Sequence, residues 1–251
     1  MNIALQLYSV RDYTRGFTDL INTLEKVAKC GYKYVETAGY YGLDSAELTK
    51  LCEKYGLKII SSHTGLDTLM QNFDKTVQDH IAFGAKNIAV PGMSRSMYRH
   101  DSAIGVGAFA EKLNDYTEKL ANHGIALSYH NHAWEFDPIG NSCAEEIIFE
   151  TAPLLNIQVD VGNAFGGGAD PCVWLERYIN RIKTIHYKDV LITDGKHEDS
   201  AIGEGSVDWK AVAELSKKSG AEYLIVEVEQ FSRDPFDILK CSYDNIQKMI
   251  G

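Results

Sequence analysis

Short apolar runs of strand length alternate with longer stretches of helical period eight times along this chain, and few folds accommodate that alternation. The runs are IALQL, YKYVET, LKIISSH, KNIAVP, IALSYH, IQVDV, IKTIHY and YLIVEVE. Most are apolar at both parities until their last residues, as parallel strands covered on both faces are. Between them, Phe17, Leu20, Ile21, Leu24 and Val27 form one apolar stripe at helical spacing. Phe73, Val77 and Ile81 form a second, and Phe109, Leu113, Tyr116 and Leu120 a third. Gly31, Gly56, Gly84, Gly124 and Gly220 each stand a residue or two before a strand, where a helix ends in a left-handed residue. Asp208 and Asp234, the latter before Pro235, read as helix N-caps.

Eight β-then-α units in 251 residues close most simply as a single α/β domain over residues 1–251, a (β/α)8 TIM barrel. A doubly wound open sheet is the rival. It usually carries a Gly-rich loop after its first strand, whereas here that strand runs into YSVRDYTRG. AFGGGADP follows a strand but lacks the Lys-Ser/Thr ending of a phosphate loop. The formal net charge of -10 disfavours generic binding to nucleic acid or an anionic membrane, because both rely on clustered Lys and Arg. Cys30, Cys52, Cys143, Cys172 and Cys241 show no CxxC spacing and read as free thiols of a reducing compartment. The first residues read as a strand rather than a signal peptide, and no apolar run reaches the ~18 residues of a membrane span. A cytoplasmic location is expected. The sequence leaves a homo-oligomer open.

In such a barrel, chemistry gathers at the C-terminal ends of the strands, and unusual polar residues cluster there. Glu36 ends the second run and His63 the third. His130 and His132 end the fifth, Asp160 the sixth, His186, Lys188 and Asp189 the seventh, and Glu227 and Glu229 the eighth. Side chains alternate along a strand, so each of the pairs His130/His132, His186/Lys188 and Glu227/Glu229 shares a face. Four carboxylates on one rim would repel one another without a cation. A divalent metal on Asp160, His186 and Glu227, with one ligand from the fifth strand, is the simplest answer. Mixed carboxylate and imidazole donors suit Mn²⁺, Fe²⁺, Co²⁺ or Zn²⁺ better than Ca²⁺.

Other residues keep two readings. His63 is a catalytic or substrate contact, or a structural hydrogen-bonding group. Trp134 is a sugar-stacking wall or a loop-packing residue. Ser62, Tyr8, Tyr129 and Tyr187 suggest a hydroxyl-rich mouth suited to a polyol. His80, His100, His123 and His197 are expected at the surface.

LQLYSVR, YHNHAWEF, DVGNA…GADP, IHYKD, GEGSVDW and IVEVEQ occur in this order along the chain. Together they resemble the sugar phosphate isomerase/epimerase family of xylose isomerase-like TIM barrels. That resemblance implies one divalent metal, most often Mn²⁺, with Zn²⁺, Co²⁺, Fe²⁺ or Mg²⁺ as alternatives. It implies a ligand set of Glu, Asp, His and Glu from strands five to eight. The last three fall on Asp160, His186 and Glu227. The first falls near Ser128, so His130 is taken as the replacement ligand, with His132 and Glu135 as further candidates. The implied reaction is proton abstraction beside the carbonyl of a keto-sugar or sugar phosphate, as an isomerase or epimerase performs it.

Glu227 is the expected base, with His132, Glu135 and His63 as further proton-moving candidates and Lys188 as an oxyanion stabiliser. Glu36, Trp134, Glu229 and Tyr8 are expected to contact a small-molecule sugar. A dehydratase or lyase acting on a keto-sugar, inosose or 3-keto-glycoside shares the first step. A non-catalytic sugar-binding barrel and an abasic-site endonuclease are the remaining alternatives.

Overall fold

In the computed structural model, which describes residues 1–95 and 97–251, the eight expected strands close into one parallel barrel. They are β1 (Asn2–Gln6), β2 (Tyr34–Thr37), β3 (Lys58–His63), β4 (Asn87–Val90), β5 (Ala126–His130), β6 (Asn156–Asp160), β7 (Ile182–Tyr187) and β8 (Tyr223–Val226). Each pairs with its neighbours in sequence, and β8 closes on β1 with Ala4 opposite Ile225. Helices join the strands, as a parallel connection requires. Gly84 and Gly220 end their helices in the left-handed region, with φ of 66° and 72°. Asp208 and Asp234 cap helices Trp209–Ser219 and Pro235–Ile250 through their side-chain oxygens. Among the described residues no helix is long and apolar enough to cross a membrane.

Two apolar cores result. The large one lies between the outer face of the barrel and the helices, and buries Leu24, Leu48, Phe109 and Phe149. Each such side chain contributes roughly 1.5–3 kcal/mol by leaving water. The small one plugs the lower barrel interior with Ala4, Ile60 and Ile225. Above that plug the interior turns polar, with Gln6, Glu36, Ser61, Ser128, Gln158 and Thr184 all buried.

Several expectations need correction. The eighth strand ends at Val226, so Glu227 and Glu229 follow it, although the Glu227 N–H still donates to the Tyr187 carbonyl at 3.1 Å. Tyr129 and Tyr187 do not reach the mouth: they face the outer core, where their hydroxyls donate to Glu135 and Ser216. Ser62 also points outward, 2.9 Å from His80. His80 is wholly buried rather than exposed. Its ring lies 2.8 Å from the Thr76 carbonyl and bonds Ser62 on the other side, so burial strands neither nitrogen. A hairpin, Asp189–Thr193 paired with Lys196–Ser200, extends from the end of β7 and has no counterpart in the simple βα alternation.

Candidate active site

Parallel closure brings four side chains to one point. Asp160 ends β6 beside His186 of β7, its register partner. His130 ends β5, and Glu227 is the first residue beyond β8. His186 Nδ1 lies 3.1 Å from Glu227 Oε2 and 3.8 Å from Asp160 Oδ2. His130 Nε2 lies 3.8 Å from the same glutamate oxygen and 4.0 Å from the same aspartate oxygen. All four donors fall within 4.8 Å of one another.

Most of these separations are too long for hydrogen bonds. They suit donors bound to one ion at ~2.0–2.2 Å, which stand roughly 3–4 Å apart. Asp160 Oδ2 is buried without a hydrogen-bond partner among the described residues, and so is His130 Nδ1.

Electrostatics point the same way. Burial pushes the Asp160 carboxyl up to about 7, against the pull of Lys188. Burial also opposes ionisation of Glu227, yet its bond to His186 carries it down to about 2. Burial disfavours a charged His186, but Glu36 and Glu227 raise it to about 10. His130 is held well below its ordinary range by burial and by neighbouring His186. That leaves a neutral imidazole, the form that binds metal. The cluster therefore asks for positive charge, and its donor set fits a divalent cation.

A second tier fixes the first. Glu36, expected against substrate, is instead fully buried beneath His186. Its Oε1 accepts from His186 Nε2 at 2.7 Å and Gln6 Nε2 at 2.9 Å, and its Oε2 from Gln158 Nε2 at 3.0 Å. A carboxylate on the far nitrogen sets the tautomer and angle of a metal-binding histidine. His63 Nε2 lies 3.0 Å from Glu36 Oε1 and 3.0 Å from Gln158 Oε1, while its ring stacks on His186 at 5.2 Å.

The backbone of Asp160 is clamped by Asn131. The Asn131 Oδ1 accepts from the Asp160 N–H at 2.9 Å, and its Nδ2 donates to the Asp160 carbonyl at 3.2 Å. Gly162 is required nearby, because a Cβ there would meet the Lys188 carbonyl at 2.5 Å. Gln6, Gln158 and Asn131 were not singled out from sequence. The asparagine inside HNH, paired with DVGN, is the signal that could have found that clamp.

The fifth strand resolves as follows. Ser128 sits one layer below the cluster, fully buried, with its hydroxyl donating to Asn87 at 2.8 Å. Glu135 does not reach the donor cluster. The 3-10 turn Ala133–Phe136 folds it back under β5, where its oxygens accept from the His132 N–H at 2.8 Å and the Tyr129 hydroxyl at 2.7 Å. Glu135 lies 3.7 Å from His132 Nδ1. Burial lowers His132 while Glu135 lifts it more, leaving a net rise. Lys188 is buried and paired with Glu229, 3.9 Å from Asp199.

A cavity of about 490 Å³ opens above the cluster, walled by Tyr8, His63, His130, His132, Glu227 and Glu229. Neither Asp160 nor His186 lines it. Trp134 does not line it either and belongs to the adjoining space. A cavity of about 590 Å³ at the opposite end, by Met1, Lys33 and Tyr243, has no comparable group of carboxylates and histidines.

Residues 24–247 match the sequence model of the xylose isomerase-like TIM barrels. The chain belongs to that family. Among its relatives, the rhizopine catabolism protein MocC of Rhizobium meliloti is 24% identical, over 93% of this chain and 82% of that one. An inosose dehydratase of Mesomycoplasma hyopneumoniae is also 24% identical, over 91% and 88%. Among solved structures, a sugar phosphate isomerase/epimerase from Parabacteroides distasonis superposes with a TM-score of 0.84 at 24% identity, over 98% of this chain and 93% of that one. An L-ribulose 3-epimerase superposes at 0.73 with 14% identity, over 100% and 95%. At these identities the structural likeness establishes the shared xylose isomerase-like barrel, while the chemistry depends on the site.

Proposed function

We propose that this chain is a divalent-metal-dependent enzyme, with Mn²⁺ as the expected ion, that removes a proton beside the carbonyl of a keto-sugar or cyclic keto-polyol and completes the reaction by expelling a β-hydroxyl. One observation carries the reading. Glu227 is the carboxylate shared by the donor cluster and the cavity, and β5 opposes it with imidazoles rather than a second carboxylate. The relatives named inosose dehydratase support it.

His130, Asp160, His186 and Glu227 would hold the ion, which when bound supplies Lewis-acid polarisation of the carbonyl. Glu227 takes the proton from the adjacent carbon. The C–H electron pair becomes the new C=C bond, and the β C–O bond breaks with its pair on oxygen. His132, backed by Glu135, gives that oxygen a proton, so water leaves and an enone remains. No oxidant enters. Glu229 lines the cavity, where hydroxyls of the substrate would bind, and the buried Lys188 holds it from behind.

Epimerisation or isomerisation is the second reading. It is favoured by His63 and His132 both lining the cavity, where either could return the proton to carbon.

The test is hydrogen–deuterium exchange in heavy water with Mn²⁺-loaded protein and a panel of keto-sugars and inososes. Deuterium beside the carbonyl of recovered substrate together with an ultraviolet-absorbing enone product is expected. Glu227→Gln should slow exchange by about 10²–10⁴-fold. Exchange that returns a new epimer without enone selects the second reading, and neither exchange nor enone across the panel rejects both.

A further inference from the structure

Beside the active-site cavity lies another of about 490 Å³, lined by Asp67, Gly92, Met93, Arg95 and Trp134. Pro91 and His132 line both spaces. They are separate lobes meeting at His132, which is one of the proposed proton carriers. Gly92 stands at that junction with φ of +125°, and a Cβ there would sit 3.5 Å from the His132 ring. The missing side chain keeps the shared wall low.

The second lobe has the furnishing of a carbohydrate site. Trp134 is half-buried, and the Arg95 guanidinium lies 5.3 Å from its ring centroid. His100 meets the same indole edge-on at 5.7 Å, which fixes its plane. Asp67 adds a carboxylate to the lining, its Oδ1 buried and without a hydrogen-bond partner among the described residues. A sugar ring offers an apolar C–H face to an indole and a rim of hydroxyls to an arginine and a carboxylate. Ligand sites typically enclose roughly 300–1,000 Å³, and each of the two lobes is of that size.

We infer that the site takes a two-ring substrate, with the keto ring over the donor cluster and a second, hydroxyl-bearing ring on Trp134. This rests on the proposed function for the keto ring, but its test does not need turnover. The affinity of Mn²⁺-loaded protein would be measured by calorimetry for D-fructose, a one-ring keto-sugar, and for lactulose and isomaltulose, two-ring keto-sugars. At least one two-ring sugar should bind about tenfold tighter than fructose, and Trp134→Ala and Arg95→Ala should each erase most of that margin. Circular dichroism and melting curves would confirm that both variants fold.

Equal affinity for one and two rings, absence of measurable two-ring binding, or a margin that survives both substitutions overturns the inference. The exchange experiment reads the proposed chemistry separately. Exchange on one-ring substrates without a two-ring margin rejects the second subsite alone. A margin with neither exchange nor enone rejects the chemistry alone.

Discussion

Asp160 and Asp189 are both fully buried aspartates at neighbouring strand ends, and they do opposite jobs. Asp189 is satisfied. Its Oδ2 accepts from the N–H groups of Gly203 and Gly205 at 2.8 and 2.9 Å and from Trp209 Nε1 at 2.7 Å. It thereby ties the GEGSVDW segment to the barrel, and a Cβ at Gly205 would stand 2.2 Å from its Oδ1. Asp160 has one oxygen on the Asn163 N–H at 2.7 Å and the other without a hydrogen-bond partner among the described residues, facing two histidines. A buried carboxylate with a full set of donors builds structure. One left short of donors, beside others like it, is built to receive something.

The difference is broken most forcefully at Asp189. Asp189→Ala leaves four donors without their acceptor, two of them on the buried residues Val207 and Trp209, so a loss of about 3 kcal/mol is expected in urea denaturation, with metal affinity per folded molecule little changed. If stability is kept, the carboxylate is not the anchor described.

Glu36 lies between the two cases, being satisfied yet turned toward the cluster. Glu36→Gln keeps the size of the side chain but removes the charge behind His186. Mn²⁺ affinity should fall about 10–100-fold, with only a modest change in the melting temperature of the metal-free protein. Unchanged affinity would make Glu36 a packing residue.

The smallest effect is expected at Glu145, which is buried, with one oxygen unpartnered and no cation offsetting its burial among the described residues. Burial, with Glu135 nearby, holds its carboxyl well above the ordinary range. The folded chain therefore keeps a proton that the unfolded chain releases, and stability falls as pH rises above the ordinary carboxylate range. Glu145→Gln should remove that loss. It should gain about 1 kcal/mol, or roughly 2–4 °C in melting temperature, near pH 8, and almost nothing near pH 4. A gain of equal size at both pH values would contradict the assignment.

The fold was legible because strand and helix periodicities are local, and every barrel strand was found within two or three residues of its ends. The convergence of Asp160, His186 and Glu227 was legible for a related reason: once the barrel is assumed, strand ends meet at one rim. What sequence could not supply was direction. Glu36 and Glu135 were read as facing the substrate, yet one points under His186 and the other folds back through a 3-10 turn. Tyr129, Tyr187 and Ser62 were misplaced for the same reason, since parity along a run does not say which face of a barrel is the inside; His80 was misplaced because its helix turns it onto the outward-facing Ser62. The hairpin after β7 was missed because its residues, from Asp189 to Ser200, are mostly exposed and carry little apolar signal.

The direct test of the donor cluster is metal content after equilibrium dialysis against Mn²⁺, measured by elemental analysis on wild type and Asp160→Asn. One ion per chain in wild type and essentially none in the variant, with both equally folded by circular dichroism, is the expected result. Equal metal content in the two proteins, or no bound metal in wild type, would contradict it.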